Sequence, residues 1–179
     1  MATMPSRVSA GILLYRLIDG RLEVLLAHMG GPLHATRDLG TWTIPKGEVE
    51  PGEAVPDEVA GGTEPDQPGA LLAVAQREFA EETGHAPTAA RFTPLGSIVQ
   101  KGGKIVHAWA VEGDLDPAAA HSNMFRMIWP PRSGIEQEFP EIDHVEWFAP
   151  DEARARIKAT QIPFIDRLEA KLARGSLEP

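Results

Sequence analysis

Apolar and polar positions change period along this chain. Val8 to Arg16 and Leu22 to His28 are strand-like runs, and Asp19-Gly20 between them is a hairpin signal. Trp42-Thr43-Ile44 is a short third strand leading into Pro45-Lys46-Gly47. The period then lengthens. Leu71, Ala75 and Phe79 recur at i, i+4, i+8 with Leu72 beside them, which predicts a helix with one apolar stripe. Gly84 stands where a left-handed cap ends such a helix. Arg91 to Lys101 and Lys104 to Glu112 are strand runs joined by a tight Gly102-Gly103 turn, and the second alternates at Ile105, His107, Trp109 and Val111. Asn123 to Trp129 and Val145 to Phe148 read as further strands, stopped and separated by Pro130-Pro131 and a Pro-broken segment from Gln137 to Asp143. Asp151 is the expected N-cap of a helix. Pro163 begins a last helix, with Phe164, Leu168 and Leu172 as its core stripe and Gly175 as its stop. Strand-rich segments flanking one helix, with helices at the end, predict an α/β protein: a mixed sheet with helices on its faces.

Composition narrows the classes. A chain of 179 residues with 42% apolar content suffices for one domain with a core. Seventeen Lys and Arg against 26 Asp and Glu give a net charge of −9, which argues against general nucleic-acid binding. It leaves room for a small polyphosphate held through metal ions. The absence of cysteine excludes a disulfide frame, a thiolate metal site and a thiol nucleophile. Ala10 to Tyr15 is too short for a signal segment or a membrane span, so a soluble cytoplasmic protein without membrane contact is expected. No phosphate-binding Gly-x-x-x-x-Gly-Lys-Ser/Thr, dinucleotide fingerprint or Gly-x-Ser-x-Gly elbow is present.

The chemistry concentrates between Gly47 and Gly84. On the expected helix, Glu78, Glu81 and Glu82 fall at i, i+3, i+4, so three carboxylates share a face. Like charges at that spacing repel, and a helix C-terminus disfavours anions. A hard divalent cation reverses the sign, and Mg²⁺ or Mn²⁺ takes such oxygen ligands. A solvated acidic helix end is the plain alternative.

Gly47 and Glu53 with five residues between, followed by Arg77-Glu78-Phe79-Ala80-Glu81-Glu82-Thr83-Gly84, resembles the Nudix box of the Nudix hydrolases. The resemblance implies an α/β/α sandwich, a bound divalent metal and cleavage of a pyrophosphate linkage. It spans most of the chain, roughly 8–172, although the motif itself is confined to the box. One departure is clear. Twenty-three residues separate Glu53 from Arg77, more than the family has, and the surplus at about 55–69 reads as a polar loop inserted into a single domain over 1–179.

The resemblance assigns Glu78, Glu81 and Glu82 to metal, with Gly47 adding a backbone carbonyl. It casts Glu53 and Arg77 as the pair that orients the cluster. A further carboxylate from outside the box often joins such a site; Glu138 and Glu141 are the candidates, and the general base lies among Glu81, Glu138 and Glu141. Arg37, Lys46, Lys101 and Lys104 are candidate phosphate contacts, each with a solvated surface residue as the alternative. Trp42, Phe139 and Trp147 are aromatic side chains that could stack on a base, with core packing the better reading of each. The implied substrate is a nucleoside polyphosphate, either a nucleoside triphosphate or a dinucleoside polyphosphate. A non-catalytic nucleotide-sensing module is the alternative, and the retained carboxylate trio weighs against it. A prenyl diphosphate isomerase on the same fold typically needs a cysteine, which is missing. Oligomeric state is not legible.

Overall fold

The computed structural model describes residues 7–50, 69–89 and 91–175. Its frame is β1 (Val8–Ile18), which runs through the middle of a seven-stranded sheet. The second half of β1 pairs antiparallel with β2 (Arg21–Met29), and its first half pairs with the short β4 (Lys46–Glu48). On its other edge β1 pairs parallel with β6 (Ile105–Glu112), which pairs antiparallel with β5 (Thr93–Val99). β3 (Trp42–Thr43) and β9 (Ile142–Phe148) both join β2. The sheet is therefore mixed.

Alternation along β1 separates two cores. Ala10, Ile12 and Leu14 pack with Leu71, Ala75 and Phe79 of α1 (Ala70–Thr83). Leu13 and Tyr15 face the other way, onto Phe164, Ile165 and Leu168 of α3 (Ile162–Ala173) and Ala153 of α2 (Pro150–Arg156). Burial on both faces explains why β1 and β2 read as near-continuous apolar runs. The layers are helix, sheet, helix, and the fold is the expected α/β/α sandwich. Among the described residues no helix is long and apolar enough to cross a membrane.

Three local expectations need correction. The segment read as Pro-broken forms β8 (Glu136–Pro140), which pairs with β7 (Met124–Ile128) in a separate two-stranded hairpin. Pro140 ends that strand, a place where a missing N–H is tolerated. Lys46 and Gly47 of the Pro45-Lys46-Gly47 corner are themselves the first residues of β4. At α2 the N-cap is Ala149, and Pro150 takes a first-turn position that suits its fixed φ. Asp151 thus lies inside the first turn, beside Arg154 at 3.1 Å. The supposed insert falls, except for Gly69, outside the described residues.

Candidate active site

α1 ends as its sequence demands. Gly84 caps it at φ 74°, and a side chain there would strike the His121 ring. The last-turn carbonyls find partners in the following loop: His121 N–H donates to Thr83 O and Asn123 N–H to Glu81 O, each at 3.1 Å. The acidic turn is thereby fixed at the edge of a cleft of about 790 Å³. β4 and the end of α1 contribute to its lining, together with residues 29–34 and Phe125 and Met127 of β7.

The chain leading into the corner is held from a distance. Gln161 is fully buried; its Oε1 accepts from Ile44 N–H at 3.0 Å and its Nε2 donates to Thr43 Oγ1 at 2.9 Å. The corner meets the acidic turn directly. Glu82 Oε2 accepts the Lys46 N–H at 2.8 Å. A Cβ on Gly47 would lie 1.7 Å from Glu78 Oε2, so the Glu78 carboxylate occupies the volume a side chain would need. Arg77 Nη1 lies 2.8 Å from Glu78 Oε1 and 3.2 Å from Glu81 Oε2, and reaches Glu50 at 4.0 Å.

Charge in the cleft is unbalanced. Six glutamates (48, 50, 78, 81, 82, 141) and two lysines (46, 104) line it. Burial pushes Glu82 up to about 8 against the opposing pull of Lys46 and its N–H. Burial also raises Glu78, despite Arg77. Glu141 is raised by burial and then by Glu81. Lys46 is lowered by burial and by Lys104, with Glu82 opposing. Carboxylates driven toward holding protons are the donor set that a hard divalent cation satisfies. Glu78 and Glu82 therefore fit Mg²⁺ or Mn²⁺, Glu81 on the same helix face adds a third carboxylate in the cleft lining, and Glu141 is close enough to add to the repulsion at Glu78 and Glu82.

The cleft thus gathers Lys46, Gly47, Glu78, Glu81, Glu82, Lys104 and Glu141. Lys104 Nζ also donates to Glu48 at 2.8 Å. Four candidates stand outside its lining. Arg77 is one, held to Glu78 and Glu81. Glu138 is exposed on β8 and accepts from Arg126 Nε at 2.8 Å. Lys101 is exposed in the turn before β6. Arg37 turns its backbone carbonyl inward to His28 Nε2 at 2.6 Å and Thr41 Oγ1 at 3.1 Å, and His34 of the same loop lines the cleft instead. Glu53 lies outside the described residues. Trp42 is core, Trp147 donates its indole N–H to Leu115 O, and the aromatic side chain in the cleft is Phe125 of β7. Sequence reasoning also missed Lys158, which follows α2. Burial lowers it to about 8, helped by Lys46 and Lys104, with Glu82 opposing.

The fold has counterparts. It is similar to a C. elegans Ap4A hydrolase solved as a binary complex, with a TM-score of 0.59 and 21% identity over 93% of this chain and 98% of that one. The NUDIX domain of Shewanella oneidensis NrtR, complexed with ADP ribose, gives 0.58 and 15% over 95% and 90%. A MutT protein from Methanosarcina mazei Go1 gives 0.55 and 17% over 96% and 99%. No curated protein sequence matches. At these identities the likeness carries the fold alone. The family rests on the NUDIX domain model, which matches residues 5–168. That span includes every residue that lines the cleft and every described strand and helix up to the middle of α3, and the chain belongs to the Nudix family.

Proposed function

We propose that this chain is a metal-dependent hydrolase that cleaves a pyrophosphate linkage in a nucleoside polyphosphate. The observation that carries the reading is the meeting of the acidic turn with the Pro45-Lys46-Gly47 corner, where Glu78 fills the space beside Gly47 and Glu82 accepts the Lys46 N–H. Glu78, Glu81 and Glu82, with the Gly47 carbonyl, would hold Mg²⁺ or Mn²⁺. When bound, such an ion neutralises diphosphate charge and makes water a better nucleophile near neutral pH.

The chain's own groups do the rest. Lys46 and Lys104 meet phosphate charge, because phosphoryl transfer depends mainly on positioning and electrostatics. Lys158 adds to the positive field behind them. Arg77 holds Glu78 and Glu81 in register, with Glu53 as its proposed companion. Glu81 or Glu141 takes the proton of the attacking water, since both line the cleft. Glu138, held by Arg126 on the hairpin, has no part in that step, and neither Lys101 nor Arg37 is needed for phosphate binding. Phe125, Met127 and Leu33 supply apolar surface for the nucleoside end of the substrate.

The test is a product screen in Mg²⁺ or Mn²⁺ over nucleoside triphosphates, diadenosine polyphosphates, ADP-ribose and sugar nucleotides. Turnover of at least one is expected, abolished by chelator and cut at least about a hundredfold by Glu82→Gln. Metal-dependent nucleotide binding with no turnover across the panel would make the chain a sensing module instead.

A further inference from the structure

Behind the loop that borders the cleft lies a second cluster of metal-ligating side chains. His28 of β2 and His144 of β9 are cross-strand partners with rings stacked at 4.9 Å. The ladder slips immediately after this pair: Met29 faces Ile142, which leaves Asp143 as the extra residue of a bulge. A bulge re-aims a side chain that strict alternation would send to the opposite face. Here it brings Asp143 onto the histidines' face. His28 Nδ1 lies 2.7 Å and His144 Nδ1 2.6 Å from the same oxygen, Asp143 Oδ1. The three donor atoms all lie within 4.8 Å of one another.

The hydrogen bonding of His28 suits a metal ligand. Its Nε2 faces the Arg37 carbonyl at 2.6 Å, and a carbonyl only accepts, so Nε2 carries the hydrogen. That leaves Nδ1 directed at a carboxylate, an arrangement that needs a cation between the two, either a proton or a metal ion. A ring N–H donated to a backbone carbonyl is the usual outer support of a metal-bound imidazole. The His28 side chain is 6% exposed, whereas Asp143 is 31% and His144 51% exposed. The cluster is thus anchored on its inner side and accessible on its outer side, where water can complete a coordination shell.

We propose that His28, Asp143 and His144 form a second divalent site, distinct from the carboxylate cleft. Two imidazoles and one carboxylate favour Zn²⁺, Co²⁺ or Ni²⁺ over Mg²⁺, which prefers oxygen donors. Donors sharing a tetrahedral ion at about 2.0–2.2 Å sit about 3.3–3.6 Å apart, so loading requires each histidine nitrogen to part from Asp143 Oδ1 by roughly 0.6–1 Å. The half-exposed His144 and bulged Asp143 can supply that movement. Through the Arg37 carbonyl the site ties residues 30–41 to β9, two residues beyond Glu141 of the cleft.

The experiment titrates Co²⁺ into metal-free protein and reads its visible absorption, with Zn²⁺ calorimetry alongside. The background is the Glu78→Gln/Glu82→Gln double variant, in which the carboxylate cleft is disabled. The expected result is about one equivalent bound, resistant to millimolar Mg²⁺, and weakened at least about tenfold by His144→Ala. His144 is exposed enough for that variant to fold, which circular dichroism checks; His28→Asn, at a buried position, serves as the second variant. Failure of the double variant to take up Co²⁺, equal uptake after His144→Ala, or displacement by Mg²⁺ would each overturn the site and leave the shared proton as the cation between His28 and Asp143. None of these outcomes depends on turnover, so the hydrolase reading stands or falls separately.

Discussion

Gly47 and Glu78 share one small volume, and each restricts the other. A methyl group at 47 must push the Glu78 carboxylate out of its place beside the corner. Gly47→Ala should therefore keep its helical circular dichroism yet lose at least about a hundredfold in metal-dependent turnover. Glu82 carries a different tension. Its raised proton affinity means that the folded chain binds more protons than the unfolded chain between the usual carboxylate range and about 8. Stability contributed by this group consequently falls as pH rises through that window. Glu82→Gln removes the buried charge, so its melting temperature in chelator at pH 8 should equal or exceed the parent's while its activity collapses. A lower melting temperature would contradict this account of the burial.

At the scale of elements, the chain leading into β4 depends on a residue more than a hundred positions away. Gln161→Ala leaves the Ile44 N–H and Thr43 Oγ1 buried without the partner they had, a loss of about 1–3 kcal/mol, measurable by denaturant unfolding. Lys158, at the junction after α2, should show itself through pH. Its folded form releases a proton at about 8, whereas an unfolded lysine holds one to about 10.4. The unfolded state binds more protons between those values, so stability rises with pH there, and below 8 the buried charge is a cost. Lys158→Met should flatten that rise and increase the melting temperature at pH 7. The same elements mark what the sequence makes legible. β1, β2 and α1 are plain because their periodicity is set by burial within each run, and Gly84 is plain because only a left-handed cap uses it there. β4 and β8 are not, because three- to five-residue strands take their identity from the strand they pair with. Glu141 and Glu138 look equivalent in the sequence; Glu138 lies within β8 opposite Arg126, whereas Glu141 follows the strand and lines the cleft. Gln161 and Lys158 carry no local signal, since their partners lie across the fold.

For the molecule as a whole, the sheet keeps two cores apart, one under α1 and one under α2 and α3. The cleft charge sits above the first. A cation that binds only the folded form stabilises it by about 2.7 kcal/mol at a hundred times its dissociation constant. Mn²⁺ or Mg²⁺ should accordingly raise the melting temperature in a saturable manner, reversed by chelator and absent in Glu82→Gln. An equal rise in both proteins would mean that the ions merely screen a net charge of −9.

One peptide segment joins these scales. Asn123 donates its N–H to Glu81 O and accepts from Glu141 N–H through its own carbonyl at 2.9 Å, and it leads directly into β7. The roof of the cleft therefore hangs from the same beam that fixes two of its acidic walls. On the proposed reading, a nucleoside seated against Phe125 would bear on the same segment that holds the backbone of Glu81 and Glu141.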